Sequence, residues 1–325
     1  MVNTPIVNPS LQLLRKNKGN DYSEDVVLQE LNERFVKAFN ESNEPKGKKN
    51  LVYFTLNYSL EYIDLFIYCI SSIVNKDDPA RFDLLVICPV EFEHAINCLI
   101  SEREIDLKGF NLLYQHVPEA KDGIEASMNK LKIYQFKNIN EYGKVLFLDA
   151  DILAKEPISE LFDLHLDPDK FYSAIHNASD HLHHTKFHKL VAYDLSKMTE
   201  FRDKGIYAFN AGQYLFVNSS RMLRHLYNVD WLSRAWPGEY FFEQSFLNHY
   251  FNWFAISDVH LLDRYVKFVA VHLWDKGDIA RSYKLSYSII HFAGHACDAQ
   301  KKIEYIETFN PELLATNVQL HSPSL

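Results

Sequence analysis

The chain has 325 residues, 47% of them hydrophobic, 14% aromatic and 24% charged, a profile with enough apolar residues for a large core. Its 10 glycines and 11 prolines exclude collagen-like and low-complexity protein. Lys+Arg 34 against Asp+Glu 43 leaves a net charge of -9, opposite in sign to the basic excess with which nucleic-acid binders neutralise phosphate.

Residues 1–49 read as a polar N-terminal extension, partly helical. Over residues 25–40, Val27, Leu31, Phe35 and Phe39 recur every four residues and form one apolar stripe of a helix. Such a stripe needs a surface to cover it, either the chain's own domain or a second copy in a homodimer. The polar run Glu44-Pro45-Lys46-Gly47-Lys48-Lys49 marks a boundary. Residues 50–310 then form one domain and 311–325 a C-terminal tail.

Within the domain, short apolar runs alternate with amphipathic stretches. Residues 51–56, 82–88, 111–116 and 144–148 read as strands, and 61–73, 92–102 and 129–142 as helices. This alternation predicts an α/β fold, a mainly parallel sheet flanked by helices. Ligands of such sheets bind beyond the carboxyl ends of the strands. Residues 165–205, rich in His and charge, read as a surface insertion. His176, His181, His183, His184 and His188 within it have no Cys partner and read as a solvated loop, with an acceptor-site lid as the alternative. Residues 211–217 and 286–291 return as strands, followed by a polar tail helix.

No apolar run is long enough to span a bilayer, and the first twenty residues lack a signal-peptide core. Cys69, Cys88, Cys98 and Cys297 form no CxxC pair, as expected of free thiols in a reducing compartment. The expectation is a cytoplasmic protein with no transmembrane segment and no nucleic-acid partner.

The chain carries neither GxGxxG nor GxxxxGK[ST]. A bound nucleotide would therefore need its phosphates neutralised by another device, and a divalent metal is the natural one. Leu146-Phe147-Leu148-Asp149-Ala150-Asp151 ends a hydrophobic strand in two aspartates one residue apart. If the extended geometry persists, both carboxylates face one site. Such oxygens, with those of a diphosphate, suit Mn²⁺ or Mg²⁺.

The run from Lys144 to Phe162 resembles the D-x-D region of the family 8 glycosyltransferases, the glycogenin and bacterial galactosyltransferase group. Phe209-Asn210-Ala211-Gly212, Glu243-Gln244-Ser245-Phe246-Leu247-Asn248 and His291-Phe292-Ala293-Gly294 resemble further blocks of that family, in family order. Met128-Asn129-Lys130-Leu131 resembles the stretch that precedes its D-x-D region, and Thr55-Leu56-Asn57-Tyr58 sits where the family binds uridine. The resemblance implies a GT-A fold and a metal-dependent retaining transfer of a hexose, glucose or galactose, from a UDP-sugar to a glycan or protein acceptor. It implies Asp149, Asp151 and His291 as metal ligands, with Asn210, Glu243 and Gln244 on the transferred sugar and Lys130 near the diphosphate or sugar. Thr55, Asn57, Tyr58 and Tyr62 would line the uridine site. Ala150, Ala211, Gly212 and Gly294 belong to the matching blocks.

Two positions depart from the family pattern. Glu243 stands where the family has Asp, which lengthens the sugar contact by one methylene. Cys297 stands where the family has a lysine that helps the diphosphate leave; Lys301 or Lys302, a helical turn further on, can reach back, and Lys301 is taken as the donor-site residue. Two other functions fit a D-x-D after a strand. A phosphatase of the haloacid dehalogenase type places its aspartates similarly but near the start of its domain. A catalytically inactive sugar-nucleotide-binding scaffold would account for Cys297.

Overall fold

The four-residue stripe near the N-terminus is covered by the chain itself. In the computed structural model, helix α1 (Glu24–Phe39) lays Val27 and Leu31 into the apolar core. Phe35 stacks on Phe254 at 3.9 Å between ring centroids, and the Arg34 guanidinium lies 4.1 Å over Trp231. Phe39, 49% exposed, sits beneath Arg221. The structure describes residues 24–175, 199–201, 203–235, 242–270, 286–293 and 299–310. The His-rich segment 176–188, Gly294, Cys297 and the tail 311–325 lie outside the described residues.

After a connection through Gly47, whose missing side chain lets its backbone pass the Glu141 carbonyl, the chain enters β1 (Lys49–Thr55). There follow α2 (Glu61–Val74), β2 (Asp83–Cys88), α3 (Val90–Glu102) and β3 (Leu112–His116). A short helix α4 (Gly123–Met128) leads to β4 (Tyr142–Leu148) and the three-residue β5 (Ile152–Ala154). Then come β6 (Phe171–Ile175), β7 (Phe209–Val217), α5 (Ser220–Ala235) and α6 (Phe242–Trp253). The chain closes with β8 (Ser257–Asp258), β9 (Val266–Ala270), β10 (Ile289–Ala293) and α7 (Ala299–Phe309).

Seven strands form one sheet in the order β3-β2-β1-β4-β7-β6-β8, and β5-β10-β9 form a second. In the large sheet β7 alone runs against its neighbours. The central strands are buried on both faces, so they read as continuous apolar runs rather than alternations. Val52 and Phe54 of β1 pack with Ile63, Phe66 and Ile70 of α2. Leu51 and Tyr53 of β1 face the opposite layer, with Leu226, Trp231 and Phe251 of α5 and α6. From β1 the chain steps outward to β2 and β3, then returns to β4 on the other side of β1. That reversal opens a crevice at the carboxyl ends of β1 and β4, the place where open α/β sheets take ligands.

One element departs from the sequence expectation. Residues 129–142 form no single helix: two 3₁₀ turns, Asn129–Gln135 and Ile139–Glu141, are separated by an extended Phe136 with ψ 123°. Ile133, Phe136 and Ile139 are buried, one in each turn and one on the extended break, so the segment packs as short turns rather than as one helical face.

Two buried histidines in the α5–α6 layer give a prediction. Burial, helped by Arg221, pushes His225 down to about 4 from the ordinary 6.5, and burial alone does the same to His249. Both titrate lower in the folded chain, so the unfolded chain takes up their protons first as pH falls. The stability they contribute is complete above about pH 6.5 and is lost progressively down to about pH 4. The loss reaches ~1.4 kcal/mol per pH unit for each histidine. Urea unfolding from pH 7 to 4 should show this slope, and His249→Gln should roughly halve it; a stability constant over that range would refute it.

Candidate functional site

The two aspartates converge by a route other than the pleat of a strand. β4 ends at Leu148, and Ala150 and Asp151 form a turn before β5. The Asp149 amide donates to the Gly212 carbonyl of β7 at 2.7 Å, and the Asp151 carbonyl accepts from the Phe292 amide of β10 at 2.9 Å. The pair thus spans the junction of the two sheets, one residue pinned to each. Ala150 between them packs in the apolar core and offers the site no polar side chain.

His291 meets them from β10. Its Nδ1 lies 3.0 Å from Gln213 Oε1; with Nδ1–H donated to that oxygen, the Nε2 lone pair faces the carboxylates. Nε2 is 3.1 Å from Asp151 Oδ1 and 3.9 Å from Asp149 Oδ2. Such a hydrogen bond on the remote nitrogen fixes the imidazole of a metal-ligating histidine. Asp151 Oδ1 is buried, with His291 Nε2 as its near polar neighbour, so in that tautomer the three ligand atoms face one another with no proton between them. Gly212 keeps the cluster open: a Cβ there would lie 2.7 Å from Asp149 Oδ2 and 2.8 Å from His291 Nε2. One ligand atom from each of Asp149, Asp151 and His291 falls within 4.8 Å of the others. Two carboxylates and an imidazole fit Mn²⁺ or Mg²⁺.

Two buried lysines flank the cluster. Lys130 Nζ lies 3.0 Å from Asp149 Oδ1, 2.7 Å from Glu243 Oε1 and 3.3 Å from the Ala211 carbonyl. Burial alone would push this ammonium down, but Asp149 and Glu243 outweigh it and hold Lys130 above its ordinary value. Its backbone carbonyl accepts from Tyr53, whose hydroxyl lies 2.5 Å from that of Tyr214, so the lysine is positioned from both ends. On the other side Lys302 Nζ is 2.6 Å from Asp151 Oδ2. Burial would push the Asp151 carboxyl up, yet the Lys302 ammonium holds it well below the usual carboxylate range.

Of the residues singled out from the sequence, Asp149, Asp151, His291, Lys130, Glu243 and Gly212 converge on this cluster. Asn210 Oδ1 accepts from the Gly212 amide at 2.7 Å, and Gln244 Oε1 from the Ala211 amide at 2.9 Å. These bonds lock the Asn210-Ala211-Gly212 segment against α6. Thr55 ends β1, while Asn57 is buried, accepting from the Ala120 amide at 2.8 Å. Its Nδ2 has no partner among the described residues. Tyr58 is exposed. Tyr62 is half-buried beside Lys302, whose Nζ is 5.7 Å from its ring centroid.

The Lys301 side chain is exposed on α7, while Lys302 is the lysine whose Nζ reaches Asp151. The signal was present in the sequence: Ala299, Lys302, Ile303 and Ile306 follow an i, i+3, i+4, i+7 stripe, which puts Lys302 on the buried face. Gln213, the first polar residue after Gly212 in an apolar strand, joins the cluster through His291.

The mainly parallel sheet, the single reversed strand and the cluster at the switch point define a GT-A fold. The chain belongs to glycosyl transferase family 8, whose model matches residues 53–296. Over 123 residues it is 29% identical to galactinol synthase 1 of Solanum lycopersicum, a match covering 38% of this chain and 35% of that protein. The chain thus matches about a third of that relative's length. Among solved structures, galactosyltransferase LgtC in complex with donor and acceptor sugar analogues superposes with a TM-score of 0.52 at 14% identity, over 83% of this chain and 97% of that one. An active-site mutant of LgtC gives a TM-score of 0.54 with the same identity and coverage. No described helix is long and apolar enough to cross a membrane.

Proposed function

We propose that the chain transfers a hexose, glucose or galactose, from a UDP-sugar to a glycan or protein acceptor with retention of configuration, using Mn²⁺ or Mg²⁺ held by Asp149, Asp151 and His291. The observation that carries this reading is the convergence of one ligand atom from each of Asp149, Asp151 and His291 around the buried Asp151 Oδ1. The names of the galactosyltransferase and galactinol synthase relatives favour a hexose donor. When bound, the metal supplies Lewis-acid stabilisation to the departing diphosphate.

The chain's own groups do the rest. Lys130 offsets negative charge beside Asp149, and its tie to Glu243 orients that carboxylate toward the transferred sugar. Asn210 and Gln244 hold the β7 entry rigid against the sugar, so that little orientational freedom is left to lose in the reaction. Gln244 is neutral and a poor nucleophile. Glu243 is occupied by an ammonium at 2.7 Å, which disfavours attack by its oxygen on the anomeric carbon. Both points favour attack by the acceptor from the face the UDP leaves, with a UDP oxygen taking the acceptor proton. Thr55, Asn57, Tyr58 and Tyr62 line the uridine side, where Tyr58 is exposed and Asn57 is buried.

Thermal unfolding with UDP, GDP, CMP and ADP, each with and without Mn²⁺, tests the donor class. A ligand at 100 times its Kd adds ~2.7 kcal/mol to native stability, enough to raise the melting point by several degrees. A shift specific to UDP with Mn²⁺ is expected. A shift with another nucleotide overturns the donor, and no shift with any nucleotide overturns the reading.

A further inference from the structure

The cluster carries more internal charge compensation than a plain metal site needs. Around it Asp149, Asp151 and Glu243 face Lys130 and Lys302, so the carboxylates exceed the ammoniums by one. Lys130 divides its contacts between two carboxylates and a carbonyl. Lys302 is different: its ion pair is with Asp151 alone among the described residues, at 2.6 Å, with the lysine side chain 4% exposed. Asp151 uses Oδ2 for that pair and turns Oδ1 toward His291. A cation held this close to a ligand carboxylate raises the cost of adding a divalent ion there, because like charges a few ångströms apart repel strongly in a poorly solvated site.

We propose that Lys302 couples metal loading to donor binding by exchanging Asp151 for the donor's diphosphate. The inference rests on the metal and UDP-sugar reading above. With only a divalent ion present, the ammonium beside Asp151 opposes it, and the ion binds weakly. A diphosphate brings at least two negative charges to the same place. Lys302, on a flexible four-carbon stem with three donors, then moves its contact to the phosphate oxygens and removes its positive charge from beside the ion held at Asp151 Oδ1. Each ligand tightens the other by one shared factor, as linkage requires. The consequence is an enzyme that loads metal and donor together and keeps little metal bound between turnovers.

The neighbouring Lys301 is exposed on the same helix, and Lys302 is the one that pairs with Asp151. Tyr62 completes the arrangement. Its ring lies beside the ammonium at 5.7 Å.

The test measures Mn²⁺ binding by titration with electron paramagnetic resonance of the free ion, and UDP binding by calorimetry, on the full chain. In the wild type, saturating UDP should tighten Mn²⁺ binding substantially. Lys302→Gln keeps an amide donor for Asp151 but removes the charge. It should bind Mn²⁺ alone on the order of tenfold more tightly and UDP in saturating Mn²⁺ on the order of tenfold more weakly, and the mutual tightening factor should shrink. Lys302→Met, a second neutral variant, should behave alike, and Lys302→Arg should keep the wild-type signs. Opposite shifts for ion and nucleotide are the signature, since a lysine that only orients Asp151 would weaken both when removed. Affinities that move together, or not at all, in a wild type that binds both ligands overturn the coupling role and leave the metal reading standing. A wild type that binds neither Mn²⁺ nor UDP overturns both.

Discussion

Asp149→Asn is expected to abolish metal-dependent donor turnover with little loss of stability, whereas Asp151→Asn should lose both. Lewis-acid stabilisation of a leaving diphosphate is worth several kcal/mol, and every ~1.4 kcal/mol is tenfold in rate. A fall in kcat/KM on the order of 10³ is therefore expected for either variant. The structural cost differs because the two carboxylates sit in different surroundings. The Asp149 side chain is 31% exposed, and its partner Lys130 keeps Glu243 when Asp149 is neutralised. Stability in urea should change by about 1 kcal/mol or less. Asp151 is buried and pairs with a buried Lys302, so neutralising it strands an ammonium. Removing one member of a buried pair costs about 3–5 kcal/mol. Turnover of the UDP-sugar with Mn²⁺, together with urea unfolding of both variants, checks the contrast. Full turnover in either would end the metal assignment, and equal stability losses would contradict the burial argument.

That contrast was only half legible in the sequence. Two aspartates after an apolar strand announce a ligand site because strand ends are where an α/β sheet exposes polar groups. Their different neighbours come from residues more than a hundred positions apart, Lys130 on a 3₁₀ turn and Lys302 on the last described helix. The strands β1, β2 and β4 were readable because burial on both faces makes each an unbroken apolar run. The segment after Met128 was not. Its apolar residues are compatible with a helical stripe at a glance, and only the asparagines Asn129, Asn138 and Asn140 among them, which compete with the helix for backbone hydrogen bonds, favour tight turns over a continuous helix. The D-x-D geometry was inferred from strand alternation, yet a turn at Ala150 does the work. Each aspartate is oriented by a different sheet, and sequence periodicity carries no information about a junction between sheets.

Lys130→Met should be strongly destabilising, because one ammonium there answers two carboxylates and a carbonyl. Its side chain is 5% exposed and that of Glu243 7%. Without the lysine, Glu243 is a buried carboxylate with no counter-charge, and a loss of about 3–5 kcal/mol is expected. The added methylene of Glu243, relative to the shorter aspartate of the family pattern, ends on this ammonium, so the two positions should be energetically one unit. Lys130→Met combined with Glu243→Gln removes both charges, and buried pairs replaced together are often tolerated far better than half-pairs. The double variant should therefore recover roughly 1–3 kcal/mol relative to the sum of the single changes. Donor turnover should stay low in all three variants, because the restored stability brings back neither the charge beside Asp149 nor the carboxylate facing the sugar. Urea unfolding of the four proteins closes the cycle. Strict additivity would mean that Lys130 answers mainly Asp149, and that the Glu243 contact carries little energy. A coupling of the expected size, with activity unrecovered, separates what this ion triad does for the fold from what it does for the reaction.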